Sequence, residues 1–161
     1  RDDDPVIFCE AKGVLMQRGE VPEGDYTIPI GQAKVVRAGG DVTLVAFGAT
    51  VAVALAAAEQ LAREGTEAEV LDLRSLQPLD EAAILSSLEK TGRLVVVDES
   101  TPRCGIASDV AALCVDRGFD FLNAPVKRVT APHTPVPFAA ILEDAFRPSA
   151  EKVIAAVREM G

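Results

Sequence analysis

Val42-Thr43-Leu44-Val45-Ala46-Phe47-Gly48, Glu69-Val70-Leu71-Asp72-Leu73-Arg74 and Leu94-Val95-Val96-Val97-Asp98-Glu99 are three short apolar runs separated by two helix-length segments. Strands of a parallel sheet are covered by helices on both faces, so they read as continuous apolar runs rather than as alternation. Strand, helix, strand, helix, strand is therefore the pattern of a layered α/β domain.

The same reading extends outward. Residues 31–37 form a lead-in to an edge strand, with Lys34 and Arg37 facing water. Thr50 is placed to cap an alanine-rich helix running to Leu61 or Arg63, and Gly65 stops it. Asp80 caps a second helix that ends near Thr91, with Gly92 after it. A third helix covers residues 106–117, apolar at Ile106, Val110, Leu113 and Cys114, and stops at Gly118. Residues 126–129 make a shorter strand, residues 132–137 a proline-rich loop. Ser149 caps a final helix whose apolar face is Val153, Ile154 and Val157. The expectation is a three-layer α/β/α domain over residues 34–161, built on a mostly parallel five-stranded sheet.

Composition narrows the function. The chain has 161 residues, 48% of them hydrophobic and 25% charged, enough to bury one core. Sixteen basic and 25 acidic side chains give a net charge of −9, which repels nucleic acid and attracts a basic protein surface. No apolar run reaches the roughly 20 residues of a membrane span, and Arg1-Asp2-Asp3-Asp4 is not a signal-peptide start. Cys9, Cys104 and Cys114 are too scattered for a disulfide framework or a zinc site, which fits a reducing cytoplasm.

Candidate chemistry is thin. Phe47-Gly48-Ala49-Thr50 joins a strand to a helix, but with a single glycine it reads as a tight turn rather than a dinucleotide loop. Asp72 and Arg74 end a strand where such folds bind ligands; with no nucleophile or base beside them they read as structural. Asp98 and Glu99 point to opposite faces, so they are no acid/base pair, and Arg103 is placed to form an ion pair there. Cys104, before a helix N-terminus, is the most reactive of the three thiols, or else simply packed. His133 lies on the rigid run Ala131-Pro132-His133-Thr134-Pro135, suited to interface hydrogen bonding, with proton transfer as the alternative. Val6-Ile7-Phe8-Cys9 has strand character yet no partner near it in sequence.

Four wordings in order carry a resemblance: Asp72-Leu73-Arg74-Ser75-Leu76-Gln77-Pro78-Leu79-Asp80, Gly92-Arg93-Leu94-Val95-Val96-Val97-Asp98-Glu99, Asn123-Ala124-Pro125-Val126-Lys127-Arg128-Val129-Thr130 and Thr134-Pro135-Val136-Pro137-Phe138. The chain resembles the C-terminal domain of the beta subunit of thiamine-diphosphate-dependent 2-oxoacid (pyruvate or branched-chain) and acetoin dehydrogenases, with a transketolase C-terminal-like fold. The resemblance implies that residues 1–10 hold the last strand of a preceding pyrimidine-binding domain and residues 11–33 an interdomain linker. It implies thiamine diphosphate and magnesium in a heterotetramer, with none bound by this stretch, and an alpha subunit and a second beta subunit as partners. A further implied partner is the basic peripheral-subunit-binding domain of the acyltransferase. No catalytic, cofactor-binding or metal residue is carried over. Arg103, Cys104, His133 and Phe138 become candidates for the subunit interface, and Asn123, Met160 and Gly161 for acyltransferase docking. Asn123 stands where many relatives have an acid, and His133 where many have aspartate. The alternatives are the C-terminal domain of a transketolase or deoxyxylulose-phosphate synthase, and a free-standing α/β ligand-binding module.

Overall fold

A computed structural model describes residues 3–16 and 18–161; Arg1 and Asp2 of the polar start, and Gln17 of the linker, lie outside the described residues. The elements are β1 (Lys34–Arg37), β2 (Val42–Ala46), α1 (Thr50–Arg63), β3 (Ala68–Asp72), α2 (Glu81–Thr91), β4 (Leu94–Asp98), α3 (Ile106–Gly118), β5 (Lys127–Thr130), α4 (Ala140–Phe146) and α5 (Ala150–Arg158). Five strands form one sheet in the order β1-β3-β2-β4-β5. β2, β3, β4 and β5 run parallel, with Leu44 opposite both Val70 and Val95, and Val97 opposite Val129. β1 is antiparallel to β3, Lys34 facing Asp72, and its register shifts between Val35 and Arg37. That bulged, short strand, with Lys34 exposed, is an edge of the sort that resists further pairing.

Alternation along each strand divides the core into two layers. Val42, Leu44, Ala46, Val70, Val95 and Val97 turn to one face, where Ala54, Ala57, Ala58 and Leu61 of α1 and Val153, Ile154 and Val157 of α5 cover them. Val45, Leu71, Leu94 and Val96 turn to the other, under Ile84 and Leu88 of α2 and Val110 and Cys114 of α3. The small alanines of α1 thus set a close approach of helix to sheet. Burial pushes the Cys114 thiol up to about 11, so it behaves as a small apolar side chain.

Helix ends follow the residues that suit them, with two corrections. The Asp80 carboxylate accepts the Ala83 N–H at 3.0 Å, and its other oxygen accepts the Ala33 N–H at 2.9 Å, tying the lead-in to α2. Gly92 closes α2 at φ 67°, and Ser149 caps α5 through the Lys152 N–H. Thr50, however, is the first residue of α1 and not its cap. Its hydroxyl lies 2.8 Å from the Phe47 carbonyl oxygen and 3.0 Å from that of Val97, holding the start of α1 on β4. Gly118 ends α3 within the helix, pressed so near α2 that a Cβ would meet Leu88 at 2.9 Å.

Residues 5–11 have no regular secondary structure, and Ile7 and Phe8 are largely exposed. A strand without a ladder partner has nothing to satisfy its backbone. Unforeseen by the sequence reading, Glu69 is buried in β3 beneath α2. Its carboxylate is held by Ser87 and by Lys90, and Ser87 continues at 2.9 Å to Thr43, which reaches Thr91 at 2.8 Å.

Candidate functional site

The parallel strands give the domain two unlike ends. At their carboxyl ends lie the loops after β4 and β5 and, beyond them, α4. Asp98 is buried at the end of β4, but the ion pair expected with Arg103 does not form. One carboxylate oxygen accepts the Ser100 N–H at 2.8 Å and the other the Ala107 N–H at 3.0 Å, inside the first turn of α3. Backbone donors at a helix N-terminus satisfy a carboxylate well, and leave Arg103 free to point into solvent. Cys104 is exposed at φ 56°, in the left-handed region. The Asp72 carboxyl is held above the usual range by burial, countered by the Arg74 N–H at 3.1 Å and by the charges of Arg74 and Lys34.

Two loops here are laced together. The Ala131 N–H donates to the Ser100 carbonyl at 3.0 Å, and Arg128 donates to the Pro102 carbonyl at 2.9 Å. This brings the Arg103–Cys104 loop beside the His133 loop, with all three side chains exposed. The proline-rich run then leads into α4, which the sequence reading left unassigned. α4 buries no residue: Ile141 is 80% exposed and Leu142 57%. Val136 and Phe138 just before it are also bare, Phe138 completely. Four large apolar side chains within seven residues thus face solvent, more than a lone exposed leucine signifies.

The amino ends of the strands gather the other set. Asn123 donates its backbone N–H to the Gly92 carbonyl at 2.8 Å, and its side chain lies over Gly92, filling the space a Cβ would need. Asn123 helps line a shallow depression of about 400 Å³ with Asp41, Thr66, Thr91 and Arg93. α5 ends at the same end of the sheet. Glu159 pairs with Lys127, the first residue of β5, at 2.8 Å, and that contact holds the Glu159 carboxyl below the usual range. Met160 packs on the α1/α5 layer and Gly161 is exposed beyond it. Asn123, Met160 and Gly161 are therefore brought to one end of the molecule. Glu143 and Asp144, by contrast, sit with α4 at the opposite end, and Asp144 is taken by Arg147 at 2.6 Å.

Residues 31–153 match the family model described as "Transketolase, C-terminal domain". The chain belongs to the transketolase C-terminal domain family. Within this family it is 57% identical over 159 residues to the beta subunit of acetoin:2,6-dichlorophenolindophenol oxidoreductase of Bacillus subtilis, covering 99% of this chain and 46% of that one. It is 43% identical to the 2-oxoisovalerate dehydrogenase subunit beta of the same organism, covering 99% of this chain and 50% of that protein. A solved structure described as "Split gene transketolase, inactive beta4 tetramer" superposes with a TM-score of 0.74 at 32% identity, over 88% of this chain and 45% of that one. The chain thus spans about half the length of the curated relatives it matches.

The transketolase-type cofactor can be tested against the residues present. The larger depression, about 500 Å³ at the carboxyl ends of β2 and β4, is lined by Glu99, Asp144 and Glu151, and the one arginine lining it among the described residues, Arg147, is tied to Asp144. A diphosphate placed there meets three carboxylates with no free cation. These residues do not fit thiamine diphosphate. Among the described residues no group of three or more His, Cys, Asp or Glu side chains is gathered to hold a metal ion, and no helix is long and apolar enough to cross a membrane.

Proposed function

We propose that this chain is the assembly and docking domain of the beta subunit of a thiamine-diphosphate-dependent dehydrogenase acting on acetoin or a 2-oxo acid. The observation that carries this reading is the bare apolar face of Val136, Phe138, Ile141 and Leu142, a surface built to be covered by another subunit. The named relatives are beta subunits, and the higher identity to the acetoin-type protein, 57% against 43%, favours acetoin over a branched-chain substrate. In the whole enzyme, thiamine diphosphate and magnesium would sit with the alpha subunit and the preceding half of beta. Acetoin cleavage or oxidative decarboxylation would end in acyl transfer to lipoamide.

On this reading residues 1–10 close the preceding pyrimidine-binding domain, which would supply the ladder that Val6-Ile7-Phe8-Cys9 lacks, and residues 11–33 are the linker. Arg103, Cys104, His133 and Phe138, all exposed at the carboxyl end, serve the contact with the second beta subunit. Asn123, Met160 and Gly161 at the amino end serve the basic binding domain of the acyltransferase. Helices α1 and α2 and the final helix direct their carbonyl ends there, which favours a cationic partner over an anionic one. Three free cysteines fit a cytoplasmic protein.

Sedimentation of this chain at micromolar concentration should give a dimer. Phe138→Ser should weaken it at least tenfold, because burying a phenylalanine contributes about 1.5–3 kcal/mol and a two-fold interface loses two of them. The melting temperature of the variant monomer should be unchanged, since the side chain is fully exposed. A wild-type chain that stays monomeric to high concentration would contradict the assembly role.

A further inference from the structure

Among the described residues from 3 to 30, only Ala11 and Val14 are shielded from solvent; the others are exposed. The two bracket the 3-10 turn Lys12–Val14, three positions apart, a spacing that sets side chains on one side of such a turn. The turn closes on itself: the Val14 N–H donates to the Ala11 carbonyl at 3.1 Å and the Leu15 N–H to the Lys12 carbonyl at 3.3 Å. Its shielded side rests on the start of α1. The Ala11 Cβ lies 3.9 Å from where a Cβ of Gly48 would stand, and Val14 lines the carboxyl-end depression with Ala49, Ala52, Val53 and Ala56. The strand order β1-β3-β2-β4-β5 puts the topological switch between β2 and β4, so this is the crevice in which doubly wound folds hold ligands. Here the first N–H groups of α1, those of Thr50 and Val51, are spent on the carbonyls of Phe47 and Gly48 at 3.2 and 3.4 Å, which leaves an anion little to bind. A second attachment follows along the chain. The Gly31 N–H donates to the Ser75 hydroxyl at 3.0 Å and the Ala33 N–H to the Asp80 carboxylate at 2.9 Å, while a Cβ on Gly31 would sit 2.9 Å from the Pro78 ring. Among the described residues no hydrogen bond ties residues 11–14 to the body of the domain.

We infer that the crevice at the carboxyl ends of β2 and β4 is the seat of the chain's own linker turn, with Ala11 and Val14 as a releasable latch. Resting on the reading of residues 11–33 as the linker, this gives that stretch a fixed course with two unlike attachments. Residues 31–33 are pinned by directional, partly buried hydrogen bonds, whereas residues 11–14 are held by apolar contact alone. Such a contact opens by local fluctuation without unfolding the domain, since neither Ala11 nor Val14 belongs to the core. Docked, the turn fixes both ends of residues 15–30 on one face of the domain, and they project as a loop with Leu15, Met16 and Tyr26 bare. Released, it uncovers the α1 wall of the crevice and frees the segment before it.

Limited trypsin digestion of the 161-residue chain, with initial rates read by mass spectrometry, tests the latch. Lys12 lies inside the turn and Arg18 beyond it, both exposed, so the two cleavages report docked and free backbone. In the wild type, cleavage after Arg18 should outrun cleavage after Lys12 at least tenfold. Val14→Ser, which removes the latch, and Ala52→Gln, which fills the seat from the α1 side, should each raise the Lys12 rate tenfold or more and leave the Arg18 rate within twofold. Met16→Ser, at a side chain 91% exposed, should change neither rate. All three variants should melt with the wild type, because none of these side chains belongs to the core. Equal rates at Lys12 and Arg18 in the wild type, a Lys12 rate that either Val14→Ser or Ala52→Gln leaves unmoved, or the same acceleration by Met16→Ser would overturn the latch. None of these outcomes bears on the dimer measured by sedimentation, so failure of the latch is distinguishable from failure of the assembly role.

Discussion

Lys90→Met is expected to lower the stability of the domain by about 3 kcal/mol, a drop of roughly 10 °C in melting temperature for a chain of this size. The Glu69 side chain is 3% exposed, and Lys90 is the only cation paired with it among the described residues. Breaking a buried pair from one side strands a charge where water cannot solvate it, at about 3–5 kcal/mol; the lower figure applies because Lys90 itself is 46% exposed. Among the described residues Ser87 would remain as the single side-chain donor to the carboxylate. The double variant Lys90→Met/Glu69→Leu should recover most of the loss, since removing both charges removes the desolvation cost as well. Ser87 keeps its bond to Thr43 in either case. Chemical and thermal unfolding of the two variants side by side would show the ordering, and a double variant less stable than Lys90→Met would refute this account of the network.

Gly39→Ala should be as damaging, about 3 kcal/mol or more, for a purely steric reason. A Cβ at this position would lie 2.3 Å from the Ala68 carbonyl carbon, 2.4 Å from the Glu69 nitrogen and 2.5 Å from the Glu67 carbonyl oxygen. All three are backbone atoms, so no side chain can swing aside. The same Glu67 oxygen accepts the N–H groups of Gly40 at 2.9 Å and Asp41 at 3.0 Å, so moving the chain to make room breaks the entry into β2. Gly40→Ala is the control: nothing lies within 4 Å of its Cβ, and its effect should stay within about 0.5 kcal/mol. Equal melting temperatures for the two variants would contradict the close approach.

What the sequence disclosed and what it hid divide along physical lines. The central strands were legible because burial on both faces demands apolar residues at every position, and β2 and β4 are buried throughout. Asp80, Ser149, Gly65 and Gly92 announced helix ends because each acts on its own local backbone. α4 escaped because a helix is recognised by the face it buries, and this one buries none. Glu69 escaped because a charged residue in a strand reads as solvent-facing; its partners lie 18 and 21 positions away. The only trace was Ser87 and Thr91 occupying core-facing positions of α2. Asp98 was matched to the charge nearest in sequence, whereas its partners are backbone N–H groups, which every residue but proline possesses and no sequence singles out.

The central claim is that this domain assembles and docks while the chemistry belongs elsewhere in the enzyme. Calorimetric titration of the 161-residue chain with thiamine diphosphate and magnesium tests it most directly. The account predicts no saturable binding up to millimolar cofactor, as the acidic lining of Glu99, Asp144 and Glu151 requires. Saturable binding in the micromolar range would contradict it.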